Sequence, residues 1–300
     1  MSINKKLTLI DRYDSCPLCR CKQISPDFTY EVFETTLHWD RCSECDLTFQ
    51  NPRLALESIS KLYKETNYGY IRSPLYWGTA YGDYLLGDIA RITQSHRRIK
   101  KIIEASGLKS GKLLDVGSAS GFFGVAARKA GFEVTCVEPS DKIAELGRKK
   151  YGLSFMNSTL EKCKLDPEKY DLITIWGTDS FFLHPRDSFA QLIRALKPGG
   201  IFAMNYQDFS HWVRRFFPNI KIGWSAIYNF SDRSFDKLMV EMNLTVLRYD
   251  SFEWQSVPAG HFFRIVRMPV PTWLPPVASV RIPAISFRLI VARKESFVAD

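Results

Sequence analysis

The stretch that decides the fold runs from Lys112 to Ser140 and reads KLLDVGSASGFFGVAARKAGFEVTCVEPS. A short apolar run leads into a loop that contains Gly117 and Gly121, and a segment with helical apolar spacing follows. Gly131 is placed to end that helix, and a second apolar run leads into Glu138. Strand, tight turn, helix and strand in this order predict one βαβ unit.

The chemistry of the loop narrows the choice of ligand. Asp115 lies two residues before Gly117, where its carboxylate would crowd a bound phosphate, and the glycine spacing is not that of a dinucleotide site. Glu138 lies 21 residues beyond Gly117, near the spacing of about 20 expected for an acidic residue that binds ribose hydroxyls. The site therefore favours a ribose with a positively charged, phosphate-free tail, and S-adenosylmethionine (SAM) has both.

The same stretch resembles the first motif of the class I SAM-dependent methyltransferases, D/E-x-G-x-G-x-G, with Ala119 at the middle glycine. We expect this departure to be mild if residue 119 keeps a negative φ. The segment Tyr170 to Trp176 resembles the fourth strand of the family, and Leu196 to Gly200 resembles the turn before the fifth. The resemblance covers roughly residues 110 to 250 and implies an α/β fold. The expected architecture is a Rossmann-like sheet with helices on both faces, preceded by a small zinc ribbon and a helical cap.

The resemblance also implies where the cofactor binds. The expected contacts come from the first motif and from the ends of the second, third and fourth strands. They are Asp115, Gly117, Ser118, Ala119, Gly121, Glu138, Pro139, Asn157, Ser158 and Trp176. Asn157 is placed to accept a hydrogen bond from the adenine amine through its amide oxygen. His184 follows the fourth strand and is the candidate general base for a hydroxyl acceptor, with packing or capping of the next helix as the alternative.

Two C-x-x-C motifs near the N-terminus predict a zinc ribbon. The four candidate ligands are Cys16, Cys19, Cys42 and Cys45. Strand-like residues between Phe28 and Trp39 predict a hairpin between the two motifs. Because four thiolates leave no open coordination position, we expect this zinc to be structural. The run from Arg41 to Arg53 resembles methyltransferases that carry an N-terminal zinc-binding module and modify sugars or natural-product and cell-envelope intermediates.

Composition sets the broad class. The 300 residues suffice for about two domains, and 45% hydrophobic and 24% charged residues are typical of a globular protein. There is no secretion signal and no run of about 18 apolar residues, so we expect a cytoplasmic protein with free or metal-bound cysteines and no transmembrane segment. The net charge of +9 leaves open RNA, a membrane surface, an acidic substrate or a merely solubilising role.

The chain divides into three predicted parts: a zinc-ribbon module (1–53), a helical cap or linker (54–110) and the methyltransferase domain (111–300). The tyrosines of residues 54–84 either close over cofactor and acceptor or pack between domains. A helix is predicted from Tyr84 to Ala105, with the basic cluster at 97–101 interpreted as a solvated face near its end. The proline-rich insertion at about 252–286 is interpreted as an acceptor lid, a membrane-surface contact or an extended arm.

These patterns predict SAM-dependent methyl transfer to a small-molecule acceptor. A sugar or a cell-envelope or natural-product intermediate is favoured, with oxygen as the favoured methylated atom. The first alternative is an RNA methyltransferase, which the charge would suit although no RNA-binding signature is present. The second is a non-catalytic binding protein with the same fold. A sugar-linked acceptor and peripheral membrane contact both remain open.

Overall fold

The computed structural model describes residues 7–10, 12–32, 35–55, 57–58, 88–208, 227–259, 269, 271, 273, 279–284 and 287–296. The helices are α1 Asp88–Ser106, α2 Phe122–Lys129, α3 Asp141–Tyr151, α4 Pro185–Ala195 and α5 Asp232–Glu241, with 3₁₀ turns η1 Leu160–Lys162 and η2 Asp179–Phe181. The strands are β1 Leu9–Ile10, β2 Ile24–Val32, β3 Thr35–Cys42, β4 Thr48–Gln50, β5 Arg53–Leu54, β6 Gly111–Val116, β7 Phe132–Val137, β8 Ser154–Met156, β9 Tyr170–Trp176, β10 Leu196–Gln207, β11 Tyr228–Asn229, β12 Leu244–Asp250, β13 Glu253–Pro258, β14 Ser279–Ala284 and β15 Phe287–Lys294.

The main sheet has the strand order β12-β15-β10-β9-β6-β7-β8. The neighbouring pairs from β10 to β8 are parallel, whereas β15 is antiparallel to both β10 and β12. This confirms the predicted α/β fold. Parallel strands place their carboxyl ends at one edge, so the loops after β6, β7, β8 and β9 meet there.

Helices cover both faces of this sheet. Ile99 of α1 and Phe123 of α2 belong to the core on one face. Phe189 of α4 and Phe235 of α5 belong to the core on the other face. The apolar runs of β6, β9 and β10 follow from this arrangement, because strands buried on both sides need apolar residues at consecutive positions.

The N-terminal module forms a second sheet with the strand order β11-β4-β3-β2. The predicted hairpin is β2 paired antiparallel with β3. The edge strand β11 lies far along the sequence, between the main-sheet strand β10 and α5. It pairs Tyr228 with Phe49 of β4. The Tyr228 and Tyr13 hydroxyls lie 3.0 Å apart, and Tyr228 also donates to the Leu183 carbonyl at 3.0 Å. The module is therefore joined to the main domain by a shared sheet and a shared core.

The structure differs from three expectations of the sequence, which were a helix from Ser188 to Leu196, an N-cap at Ser140 and a basic cluster near the end of α1. Helix α4 begins at Pro185, where the missing N–H of proline costs nothing in the first turn. Ser140 stands at the N-cap of α3 but its side chain makes no cap hydrogen bond. The basic cluster at 97–101 does not lie in the last turn of α1.

Two expectations fall largely or wholly outside the described residues. The tyrosine-rich cap is described only at 54–55 and 57–58. The proline-rich insertion is described at its base, where β13 and β14 pair antiparallel. Among the helices that the structure describes, none is long and apolar enough to cross a membrane.

Candidate functional site

The loop after β6 has a tightly constrained backbone. Gly117, Ala119 and Gly121 have φ values of 67°, 51° and 89°. The positive φ of Ala119 corrects the expectation that this position keeps a negative value, since a left-handed alanine is strained. A Cβ on Gly117 would lie 2.6 Å from the Cβ of Thr178, so the loop passes against the residues that follow β9.

Glu138 holds this loop from the end of β7. Its Oε2 accepts the Ala119 N–H at 3.1 Å and its Oε1 accepts the Ser140 N–H at 2.9 Å. The side chain is 8% exposed, and burial raises the pKa of the carboxyl above its usual value. Each carboxylate oxygen has a further lone pair, so Glu138 can still accept hydrogen bonds from a ligand.

Asp115 is a buried carboxylate with one unsatisfied oxygen. Its Oδ1 accepts the Thr174 hydroxyl at 2.7 Å, while Oδ2 has no hydrogen-bond partner. The residue is 1% exposed, and burial raises the pKa of Asp115 to about 7. A buried acceptor of this kind is rare without a ligand. This carboxylate can accept a further hydrogen bond, so it fits a cofactor that brings a cationic, hydrogen-bond-donating group.

The remaining loop residues lie beside Glu138. The Asn157 amide nitrogen donates to the Glu138 carbonyl at 2.8 Å, which directs the amide oxygen away from the protein backbone. Ser158 N donates to the Met156 carbonyl at 3.1 Å, and the exposed Pro139 directly follows Glu138. Ser118 is tied to β7, where its N–H donates to the Val137 carbonyl at 3.0 Å. The predicted cofactor residues thus meet at one edge of the sheet.

Trp176 lies at the same edge with partners that the sequence did not indicate. Its ring packs 4.8 Å from that of Phe123 and lies 4.4 Å below the Arg98 guanidinium. Arg98 pairs with Glu253 at 2.6 Å and is 12% exposed, and Lys101 pairs with Asp250 at 2.7 Å. For Arg98 and Lys101 these pairs correct the interpretation of the 97–101 cluster as a solvated face, whereas the Lys100 side chain is 77% exposed, as that interpretation expects.

Sequence reasoning missed Gln94 and Arg98 on α1, Asn205 on β10 and Glu253 on β13. The spacing of Gln94 and Arg98, four residues apart on a helix, placed them on one face. Glu253, in the proline-rich insertion, accepts hydrogen bonds from both side chains, and no local sequence pattern predicts this contact.

His184 occupies the N-cap of α4 and is exposed. Its carbonyl accepts the Ser188 N–H at 2.9 Å, and its side chain makes no cap hydrogen bond. The described interactions do not join it to the cofactor loop, so its role as a base stays a prediction. Tyr206 is a poor substitute, because its hydroxyl is buried and donates to Asp232 at 2.6 Å.

The four predicted cysteines form one cluster, with their Sγ atoms all within 4.8 Å of one another. Cys16 and Cys45 are 3.6 Å apart, and Cys19 and Cys42 are 3.5 Å apart. Tetrahedral zinc with bonds of about 2.3 Å separates its sulfurs by about 3.8 Å. The cluster can therefore hold a metal ion. Cys21 lies outside it, where its sulfur accepts the Gln23 N–H.

The comparisons with known proteins agree with this geometry. Residues 90–249 match the family described as Methyltransferase domain, which is more than half of the chain. No curated protein matches the sequence significantly. A SAM-dependent methyltransferase from Thermotoga maritima, described as a possible histamine N-methyltransferase, is similar with a TM-score of 0.50 and 19% identity, over 72% of this chain and 95% of that chain. The YcgJ protein from Bacillus subtilis has a TM-score of 0.50 and 16% identity, over 67% of this chain and 99% of that chain.

Proposed function

Because the chain belongs to the methyltransferase domain family that its central region matches, we propose that it methylates an oxygen of a small-molecule acceptor. A sugar or a cell-envelope or natural-product intermediate is the proposed acceptor class. SAM would supply an electrophilic methyl group on a sulfonium. The chain's own residues bind and orient the two reactants and handle the proton of the acceptor hydroxyl.

The unsatisfied Oδ2 of Asp115 supports the first step of this proposal, the binding of SAM. A buried carboxylate beside a loop with three left-handed residues suits an ammonium group and would repel a phosphate. Glu138 would accept hydrogen bonds from the ribose hydroxyls, and the Asn157 oxygen would accept one from the adenine amine. These contacts fix the methyl donor relative to Trp176 and the edge of β10.

Alignment is the main catalytic contribution expected of this site. Holding two reactants in line is worth up to roughly 7–11 kcal/mol in well-oriented reactions. A hydroxyl acceptor must also lose its proton, and His184 remains the proposed base, since a neutral imidazole can take a proton near neutral pH. His184 is exposed, and its side chain is not engaged in capping α4.

We assign zinc to the cysteine cluster. Four thiolates at these separations complete a tetrahedral shell, so the ion would be structural and would stabilise the N-terminal module. The module in turn positions Tyr13 against Tyr228 and the segment before α4. Zinc would therefore support the main domain through packing and would not touch the reacting groups.

Charge pairing favours a small molecule over RNA. Arg98 and Lys101, which could have formed a basic patch, are paired with Glu253 and Asp250. Paired cations release few counterions from a nucleic acid, so they add little to RNA affinity. An RNA methyltransferase remains the second candidate, and a steep salt dependence of RNA binding would support it.

Calorimetric titration with SAM tests the proposal at its first step. The full chain should bind SAM and S-adenosylhomocysteine, and incubation with candidate hydroxylated acceptors should yield methylated product by mass spectrometry. Absence of SAM binding by folded protein would contradict the proposed function. Binding without transfer to any hydroxylated acceptor, together with transfer to RNA, would favour the second candidate.

A further inference from the structure

Three buried polar atoms beside the cofactor residues have no hydrogen-bond partner. They are Gln94 Oε1, Asn205 Oδ1 and Trp176 Nε1. Asn205 and Trp176 are register partners at the carboxyl ends of β10 and β9, and Gln94 reaches the same place from α1. More than about 90% of buried polar groups in proteins are satisfied. Other buried atoms without a partner, such as Trp39 Nε1, are scattered through the described residues, whereas these three meet at the edge where the predicted cofactor residues lie. Their convergence there makes them candidate contacts of a bound ligand.

Glu253 fixes the direction in which both amides point. Its carboxylate accepts Gln94 Nε2 at 2.8 Å and Asn205 Nδ2 at 3.4 Å. It also accepts two bonds from Arg98, at 2.7 and 2.6 Å. A carboxylate that only accepts requires amide nitrogens to face it, so the two amide oxygens must face away. The acceptor-only chemistry of the Glu253 carboxylate therefore sets the amide orientation of both Gln94 and Asn205.

The charge state of Glu253 supports this orientation. Burial alone would raise its pKa, but the charge of Arg98 and the hydrogen bonds outweigh burial and hold the pKa below its usual value. Glu253 is therefore ionised at neutral pH. It neutralises Arg98, which lies over the Trp176 ring.

The unsatisfied atoms select the chemistry of their ligand. Two are acceptors and one is a donor, as a pair of hydroxyls requires, because each hydroxyl can donate and its oxygen can accept. A phosphate or carboxylate would meet two amide oxygens that cannot donate to it. An ammonium group could donate to both amide oxygens, but it has no lone pair to accept the hydrogen bond that Trp176 Nε1 offers. A neutral molecule with several hydroxyls satisfies all three atoms without an unpaired charge.

We infer that Gln94, Asn205 and Trp176 form the acceptor subsite and bind a neutral polyhydroxylated molecule, such as a sugar, through two of its hydroxyls. This assigns to the acceptor the indole N–H of Trp176, a residue that the sequence placed among the cofactor contacts. The inference rests on the proposed function, since the methyl group must reach an acceptor held at this edge. Glu253, on the strand that begins the proline-rich insertion, is a positioning residue that aims both amide oxygens. The specificity for hydroxyls thus depends on a contact between the insertion and α1.

Binding of methyl hexopyranosides to the full chain, saturated with S-adenosylhomocysteine, tests the inference by NMR and calorimetry. At least one neutral hexoside in the panel should bind, and its analogue without the contacted hydroxyl should bind roughly tenfold more weakly. Glucosamine and glucose 6-phosphate should bind more weakly than the neutral sugar. Gln94→Leu and Asn205→Leu should each weaken hexoside binding roughly tenfold, with S-adenosylhomocysteine affinity unchanged.

Asn229→Leu is the matched control. Asn229 is also a buried amide with an unsatisfied oxygen, but it lies on β11 in the N-terminal sheet. Its substitution should leave both binding constants unchanged. The deoxy-sugar series needs no variant, so it decides the question even if a leucine substitution prevents folding.

The outcomes separate the two proposals. Failure of the wild type to bind S-adenosylhomocysteine contradicts the proposed function itself. With S-adenosylhomocysteine bound, failure of every neutral hexoside, or preference for the charged sugars, overturns the acceptor subsite. Loss of S-adenosylhomocysteine affinity in both leucine variants, with hexoside binding intact, would assign the amides to the cofactor and overturn it too.

Discussion

Glu138 accepts the backbone N–H of Ala119 at 3.1 Å, so the end of β7 holds the loop that follows β6. The loop residue that this bond fixes is the strained one, with a φ of 51°. A charge-assisted hydrogen bond contributes about 1.5–3 kcal/mol, which offsets the strain of a left-handed alanine. The Glu138 carboxylate and the loop after β6 therefore form one unit, and a change in either should alter both.

Backbone strain predicts opposite effects at two loop positions. Ala119→Gly should raise the free energy of unfolding by up to about 1 kcal/mol, because a left-handed alanine costs about 1–2 kcal/mol and the greater freedom of unfolded glycine returns part of it. Gly117→Ala should lower it by about 1–3 kcal/mol, because the new Cβ would lie 2.6 Å from Thr178 Cβ. Urea denaturation measures the free energy of unfolding of each variant. A change of the same sign and size in both variants would contradict this explanation.

Removal of the Glu138 carboxylate should weaken SAM binding. Glu138→Ala loses the proposed ribose contacts and the bond to Ala119, so we expect a roughly ten- to hundredfold higher dissociation constant from a loss of about 1.5–3 kcal/mol. Glu133→Ala, on the exposed side of the same strand, is the matched control. Calorimetry compares the two, and unchanged affinity in Glu138→Ala would mean that the ribose lies elsewhere.

The protonation of Asp115 should make SAM affinity depend on pH. Burial raises the pKa of Asp115 to about 7, so the free protein carries a neutral carboxyl at acid pH and a carboxylate above that value. Only the carboxylate attracts an ammonium group, so affinity should fall about tenfold per pH unit below pH 7 and level off above it.

Asp115→Asn should remove this pH step and weaken binding at pH 8. Asp171→Asn, at the opposite end of β9 and paired with Lys197, should keep the step. Calorimetric titrations between pH 5.5 and 8.5, about 1.5 units either side of the expected midpoint, measure it. A wild-type affinity independent of pH would show that Asp115 does not meet a cation.

The cysteine cluster should hold one zinc ion per chain. Cys19→Ser or Cys42→Ser should release the ion and lower the thermal midpoint, because structural zinc contributes its binding free energy to folding. Cys21→Ser is the control, since its sulfur lies outside the cluster. Elemental analysis under reducing conditions decides the matter, and metal-free wild-type protein would refute the assignment.

His184 should affect turnover and not cofactor binding. Because general-base catalysis typically contributes about 10²–10⁴-fold, His184→Ala should reduce the turnover number by that order with SAM affinity unchanged. His184→Gln keeps a hydrogen-bonding side chain but cannot carry the proton, so it should be nearly as slow. Restoration of the rate by glutamine would assign His184 a positioning role, and no effect in either variant would leave it a helix-terminal residue.

Local patterns account for much of the fold. Strand β9 has the expected bounds, Tyr170–Trp176, which the resemblance to the fourth strand of the family supplied. The two C-x-x-C motifs and the hairpin between them were also predicted correctly, since their spacing follows from ligand geometry.

The candidate site depends on features that a sequence pattern does not encode. Spacing placed Ala119 in the cofactor loop but could not give the sign of its φ. Arg98 was interpreted as part of a solvated face because helical charges usually are solvated, and its burial depends on Glu253, 155 residues away. Non-local pairing of this kind is decided by tertiary packing.

The pairing of β4 with β11 sets an order for the synthesis of this protein. The four clustered cysteines of the N-terminal module leave the ribosome before β11 does, so the sheet beside them lacks its edge strand until Tyr228 and Asn229 have emerged. Until then, β4 is an open edge and Phe49 lacks part of its cover, which is a setting for wrong strand pairing. The N-terminal module is thus completed only after most of the main-sheet strands have been synthesised, and a fragment that ends before β11 should aggregate.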